Sequence, residues 1–414
     1  MESALSKTNI PYKRIFLIVL LLSNLTVNVN NINVAIGDIL LIILDILLVT
    51  YFLNNISVKK CRVEYMKKGI AFFLIFLFLC YCSLAMYIYT GLPIQKGVIE
   101  LLKLTVAINY GVVFLSYFML ASEADEQDFL KYMVISAMFV AITGIIGVAL
   151  YNIGIDNPLV MNGQRAKGTM SDTNIMAIFL ITVLPLVTVS LKIKKKKIVA
   201  GTLLLAILST GSKAAILVLG LLFFILLLGN LRLRNYKQVT IFVVITIISA
   251  FVIIKTFSQN DMFSFLFNRI GELASGDLSV ITTGRTDLWK FAFSLLKNPI
   301  FFLFGIGYGA FGNYLYGMTV PYYLEGISLV HNTFLSILVE TGIVNFICLL
   351  LGTCSIFLKT IKYFFRSKSV FWLLILISEI SLLIGLNEVN LQNNRFVYYL
   401  LAYYYFCVKM KENL

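Results

Sequence analysis

One imidazole is available to this chain for acid–base chemistry. His331 is the only histidine among 414 residues, and it stands where a polar stretch meets an apolar one, "SLVHNTFLSILVETGIVNF", residues 328–346. Imidazole, with an unperturbed pKa of about 6.5, can accept or release a proton near neutrality. Asn332 follows directly, and Glu340 lies further along. On a continuous helix Glu340 would sit roughly 13 Å deeper and on the opposite face, so no direct dyad with His331 is expected. An acid at that depth must be paired, protonated or facing water. Glu340 therefore reads equally as a structural or a ligand-facing group.

Candidate partners for anions come from separate polar stretches. "DNPLVMNGQRAKGTMSDTN" carries Arg165 and Lys167, with Asp172 or Thr173 placed to cap a helix starting near Asn174. "LSTGSKAAIL" puts Lys213 at a helix start, where a cation opposes the helix dipole unless an anion is also bound. "TTGRTDLWKFAFSLLKNP" gives Arg285 and then a short amphipathic helix, with Thr286 as its N-cap and Pro299 as its end. "NEVNLQNNRF" leads to Arg395. Each cation alone also reads as an ordinary surface or headgroup residue; their convergence with His331 is what suggests a site. "FGIGYGAFGN" contains Gly307, Gly309 and Gly312 in the spacing of a dinucleotide fingerprint. No strand–helix–strand unit surrounds it, so the glycines are expected to allow a tight reversal beside a ligand.

The elements that must position these groups are membrane helices. The chain is 60% hydrophobic and 13% charged, with a mean hydropathy of +0.92. Its apolar runs approach the ~20 residues that cross a bilayer, and they do not alternate as barrel strands would. The expected fold is all-α, a polytopic membrane protein of about 12 spans forming a single integral membrane domain over 1–414. Spans are expected at 14–28, 32–53, 69–90, 98–121, 129–154, 174–191, 198–211, 213–230, 239–257, 333–358, 369–387 and 395–410. The first lacks a cleavage site and reads as a span.

With both termini cytoplasmic, 23 of the 34 Lys and Arg fall on the inner side, as the positive-inside rule asks. The net charge of +14 is then a topology signal and implies no nucleic acid partner. The long outer pieces are 155–173 and 258–330, the second being the expected large outer loop between helices 9 and 10. The cysteines lie in apolar runs or, for Cys61, in a lysine-rich loop. Neither a disulfide framework nor a metal site is expected, and no cofactor is implied. Asp38, Asp45 and Glu379, inside spans, read as helix–helix glue, and Glu100 can pair with Lys103.

Over roughly 160–400 the chain resembles the O-antigen ligase/polymerase superfamily, including its Wzy-type polymerases. The resemblance rests on "RAKGTMSDTNIMA", "STGSKAAIL", "GRTDLWKFAFSLLKNPIFFLFGIGYGAFG" and "HNTFLSILVETGIV". It implies glycan transfer from an undecaprenyl-diphosphate carrier to an acceptor hydroxyl at the outer face of the inner membrane. In that reading Arg165, Arg285, Lys213 and Arg395 meet the leaving diphosphate, and His331 is the base. Asn332 would orient His331 or hold sugar hydroxyls, and Glu340 and the glycine turn would border the substrate. The family often has arginine at the position of Lys213; lysine can hold phosphate only as a point charge. Leu329 stands where ligases carry a second histidine, which favours a polymerase acting on two lipid-linked repeats, with a chain-length regulator and a flippase as possible partners. A ligase acting on the lipid A–core sugar is the alternative within the family. A transporter is the alternative outside it, although no internal repeat of the kind transporters show is visible.

Overall fold

The computed structural model describes residues 12–29, 32–54, 60–161, 165–232, 285–316, 330–367, 369–387 and 390–410. The span expected at 239–257 and most of the loop at 258–330 lie outside them. The architecture is mostly helical. In chain order the helices are α1 (Lys13–Leu22), α2 (Ile36–Asn54), α3 (Lys60–Cys82), α4 (Ala85–Thr90), α5 (Ile94–Leu120), α6 (Glu123–Asn152), α7 (Thr173–Val189) and α8 (Lys196–Ser209). They continue with α9 (Lys213–Arg232), α10 (Arg285–Leu295), α11 (Pro299–Phe304), α12 (Phe311–Tyr316), α13 (Thr333–Ser367), α14 (Val370–Gly385) and α15 (Arg395–Met410). Among the described residues, Lys67–Thr90, Ile94–Leu120, Glu123–Asn152 and Thr333–Ser367 are long and apolar enough to cross a bilayer.

Two expected helices differ in form. The first ends at Leu22, and residues up to 35 form an antiparallel pair, β1 (Thr26–Val29) with β2 (Ile32–Ala35), in the register Thr26↔Ala35 and Val27↔Val34. The signal lay in "TVNVNNINVA": apolar β-branched residues alternate with asparagine. That period of two belongs to a strand, and asparagine is a poor helix former. The expected 69–90 helix is broken between Cys82 and Ala85. There the Ser83 hydroxyl accepts the Tyr308 N–H at 3.0 Å, and the Tyr87 hydroxyl donates to the Tyr308 carbonyl at 2.8 Å. The break seats a distant loop, which no local pattern announces.

In lipid, helices associate through packing and interhelical hydrogen bonds, because tails are as apolar as leucine. Around α5 and α15 the packing is aromatic: Phe114, Phe118 and Phe129 mesh with Tyr399, Tyr403 and Phe406. The expected glue is present as hydrogen bonds. Asn109 donates to Asp45 at 2.6 Å, Thr360 donates to Glu379 at 2.8 Å, and Lys103 pairs with Glu100 at 2.7 Å. Asn24 donates to both Ser136 and Tyr399 at 3.0 Å.

Helix α13 does not run straight. Gly342 has φ 83° and ψ 176°, which breaks the helix within the apolar span. Its carbonyl partners are replaced from the glycine-rich turn: Ile306 N–H donates to the Val339 carbonyl at 2.9 Å and Gly307 N–H to the Glu340 carbonyl at 3.0 Å. A Cβ on Gly342 would run into the Leu303 carbonyl oxygen, and one on Gly305 into the Glu340 backbone. Two glycines thus let two backbones touch where side chains would hold them apart. Gly342→Ala should therefore lose at least 1–3 kcal/mol of stability, from the left-handed φ alone. Gly201→Ala, inside α8 with open space around its Cβ position, should be neutral or gain up to about 1 kcal/mol. Unfolding of the two purified variants in detergent, followed by circular dichroism, checks both signs.

Candidate functional site

His331 stands two residues before α13 and adopts φ 52°, a left-handed conformation uncommon outside glycine. Both flanks are pinned. Trp289 Nε1 of α10 donates to the Val330 carbonyl at 3.2 Å, and Thr333 N–H donates to the Leu386 carbonyl at 2.9 Å. Asn332 takes a different role from the one expected. Its Oδ1 accepts the Leu335 N–H at 3.0 Å and its Nδ2 donates to Asn387 at 3.0 Å. Asn332 is therefore the cap of α13 and its tie to the end of α14.

The half-buried imidazole lines a pocket with Tyr308, Ser336, Ile337, Asn390 and Gln392. About 30 Å³ is free there, above the ~10–15 Å³ needed to admit one water, so a hydroxyl fits beside the ring. Burial, and next the charge of Arg285, push the His331 pKa down to about 4, with Asp172 acting in the opposite sense. At neutral pH the ring is uncharged and able to accept a proton. Arg285 and Asp172 both lie close enough to act on that ring, although each belongs to a different helix start.

The rest of the cluster follows from Asp172. Its carboxylate accepts the Asn174 N–H at 2.7 Å and caps α7 as expected. Asn174 Oδ1 in turn accepts from Arg165 Nη2 at 3.0 Å, and Arg165 Nε donates to the Thr210 carbonyl at 2.9 Å. Thr210 opens the turn that leads through Gly211 to Lys213, the first residue of α9. Arg165 itself is on β4 (Arg165–Ala166), paired antiparallel to β3 (Val160–Met161) through Met161. Lys213 and Arg285 thus each occupy the first turn of a helix, where backbone N–H groups and the dipole already favour an anion. For α10 the start falls at Arg285, one residue before the expected cap Thr286. Its apolar stripe is buried against the bundle through Leu288 and Ala292. Pro299 opens α11 instead of closing α10.

Arg395 opens α15 and has its own set of partners. It is buried, its Nη2 bonds Asp38 Oδ2 at 2.7 Å, its Nε bonds Asp38 Oδ1 at 3.2 Å, and its Nη1 donates to the Asn393 carbonyl at 2.7 Å. Tyr110 donates to the same carboxylate at 3.0 Å. A forked guanidinium held this way joins α2, α5 and α15, so in this structure the residue expected to meet diphosphate is engaged by Asp38.

Gly307 and Gly309 do make the expected reversal, with φ 103° and 78°. Their faces are covered by the Tyr87 ring and the Glu100 stem, so packing explains their lack of side chains. Glu340 is buried beneath that turn. Its carboxylate accepts the Phe311 N–H at 3.4 Å and the Ser336 hydroxyl at 3.2 Å, with Gly309 N–H as a further donor. Among the described residues it meets the His331 pocket through Ser336.

Sequence reasoning missed Tyr308, Ser336, Asn390 and Gln392. Gln392 accepts from the Tyr308 hydroxyl at 2.8 Å and donates to Glu100 at 3.2 Å. A polar run such as "NLQNN" before an apolar helix is a weak sign of this, because loops commonly read that way.

Residues 198–350 match the family model described as O-antigen ligase. Lys213, Arg285, the glycine turn, His331 and Glu340 fall inside that match, and Arg165 and Arg395 fall outside it. No curated protein matches the chain.

Removing one partner of a buried pair leaves the other charge uncompensated, at a cost of about 3–5 kcal/mol. Arg395→Ala and Asp38→Ala should each destabilise by that amount, and the double variant by much less than their sum. Thermal unfolding of the three proteins provides the cycle.

Proposed function

The chain belongs to the O-antigen ligase/polymerase superfamily, and we propose that it is a polymerase of surface polysaccharide repeats. In this reading it lies in the cytoplasmic membrane with the His331 end facing outward. It transfers a glycan from undecaprenyl diphosphate to the non-reducing end of another lipid-linked repeat. The observation that carries the reading is the neutral His331, seated in a hydroxyl-sized pocket and within electrostatic reach of Arg285.

The acceptor hydroxyl enters beside His331. Its oxygen attacks the anomeric carbon, the bond from that carbon to the diphosphate oxygen breaks, and the hydroxyl proton passes to the imidazole. Attack opposite the leaving group inverts the carbon. The charge that develops on the diphosphate is met by Arg285, Arg165 and Lys213 and by the two helix starts that carry Arg285 and Lys213; fixed donors of this kind stabilise a transition state without reorganising. The departing diphosphate or water takes the proton back from His331.

The charges order the steps. An imidazole with a pKa near 4 is a weak base, but an anion beside it favours the protonated form and raises that pKa. Donor binding therefore strengthens the base just where the acceptor hydroxyl must lose its proton. A flippase supplying repeats and a chain-length regulator are partners that suit this activity.

The description of the matching family, O-antigen ligase, favours a second reading, a ligase that hands finished polymer to a lipid A–core sugar. Leu329, in place of a second histidine, supports the polymerase. Loss of the gene separates the two: single repeats on the cell surface mark a polymerase, whereas long polymer accumulating on undecaprenyl diphosphate marks a ligase.

In an assay of purified protein with a lipid-linked repeat and a chelator, the native chain should elongate the glycan. His331→Ala should lower the rate by about 10²–10⁴-fold, and Arg285→Gln by about 10²–10³-fold. Full activity in the His331 variant would remove His331 from the chemistry. The pH profile gives a second check. Neutral imidazole is present above its pKa, so the acid limb of kcat/KM should fall near pH 4, since that limb reports the free enzyme. The limb of kcat should lie higher, because bound diphosphate raises the pKa. Arg285→Gln removes one cause of the depression and should move the kcat/KM limb upward.

A further inference from the structure

A second cavity lies at the other end of the bundle, between α3, α5, α13 and α15. About 210 Å³ is free inside it. Its walls are apolar, formed by Phe72, Phe73, Leu115, Ile356, Leu401 and Ala402, and no carboxylate lines it among the described residues. Two glycines on its walls hold the helices close: a Cβ on Gly69 would press on Leu115 and the Tyr405 ring, and one on Gly352 on the Phe72 ring. The space is a framed groove within the helix packing. Along α3, which runs unbroken from Lys60 to Cys82, Lys68 lies about 20 Å from Cys82, next to the Ser83 hydroxyl that holds Tyr308 of the His331 pocket, so a diphosphate held beside His331 cannot also reach this opening.

The opening carries positive charge from three helices. Lys68 on α3 is exposed and lines the groove itself. It forms no ion pair with a carboxylate of the described residues. On α13, Lys359 follows Ser355 and Ile356 at the spacing of one helical turn, so it stands on the same face, further from His331. On α15, Lys409 follows Tyr405 by one turn, and its Nζ lies 6.0 Å from the centre of the Tyr405 ring. Lys68 falls at the start of the apolar span Lys67–Thr90, the level at which lysine stems reach toward headgroups.

We propose that this groove is a binding site for an anionic glycerophospholipid of the leaflet opposite His331. One acyl chain fills the apolar groove, and the phosphate rests among Lys68, Lys359 and Lys409. Basic pockets between membrane helices recognise anionic headgroups in this way, with each lysine worth about fivefold in affinity. A neutral or zwitterionic lipid would fill the groove but gain less from the rim. The site is independent of the glycan reaction and stands or falls without it.

The test mixes the purified full-length protein with equal amounts of phosphatidylglycerol and phosphatidylcholine of the same chain length, and counts retained lipids by native mass spectrometry. The native chain should retain one phosphatidylglycerol in preference to phosphatidylcholine. Lys68→Gln with Lys359→Gln and Lys409→Gln should reduce that preference about fivefold per lysine. Ala402→Trp, which fills the groove, should remove the retained lipid of both kinds. Lys194→Gln with Lys195→Gln, on the exposed α7–α8 connection, should leave the preference unchanged. Equal retention of the two lipids by the native chain overturns the proposal, and so does an undiminished preference in the triple lysine variant. The lysine variant decides the matter even if the tryptophan variant does not fold.

Discussion

A backbone carbonyl inside a bilayer has no water to turn to, so every break in a spanning helix must be answered by another donor. Helix α13 breaks at Gly342, and the answer comes from Ile306 and Gly307, far away in sequence. That exchange binds the segment around α11 and α12 to the bundle. Tyr308 is then clasped by Ser83 and Tyr87, and the Glu340 carboxylate collects the Phe311 N–H and the Ser336 hydroxyl. The pocket beside His331 takes Tyr308 from one partner of this contact and Ser336 from the other. Its shape is set by one backbone meeting another.

The same low dielectric sorts the arginines. Arg395 and Arg165 both precede or follow polar loops near apolar helices, yet their surroundings differ. Arg395 is buried against Asp38, where an unpaired guanidinium would be very costly. Arg165 is half-buried and spends its fork on an asparagine side chain and a backbone carbonyl. Acceptors of this kind fix the plane of a guanidinium fork. Charge number alone would not have separated the two; the identity of the acceptor does.

The two ends of the bundle differ in kind. At the His331 end, cations stand at helix starts among polar side chains, around a cavity scaled to a hydroxyl. At the far end the cavity is larger and apolar, with lysines only at its rim. One environment suits a reacting phosphate and a sugar, and the other suits an alkyl chain.

Length and apolarity of the runs determined most of the helices, because a spanning helix satisfies its own backbone and needs ~20 apolar residues whatever its neighbours are. Asp172 as a cap, the pairing of Glu100 with Lys103 and the polar stripe of α10 were equally legible, since each depends on residues within one or two turns. His331, Lys213 and Arg285 could be singled out as reactive types near helix starts, and Arg165 as a cation in a polar stretch. The sequence could not show that Arg395 is spent on Asp38, that Asn332 caps α13, or that Tyr308, Asn390 and Gln392 border the imidazole. Nor could it show that Ser83 breaks a helix to receive a loop more than 200 residues away, the separation being 225. Those facts depend on which helices become neighbours, and that is decided by side-chain packing and by the need to satisfy buried polar groups across the bundle.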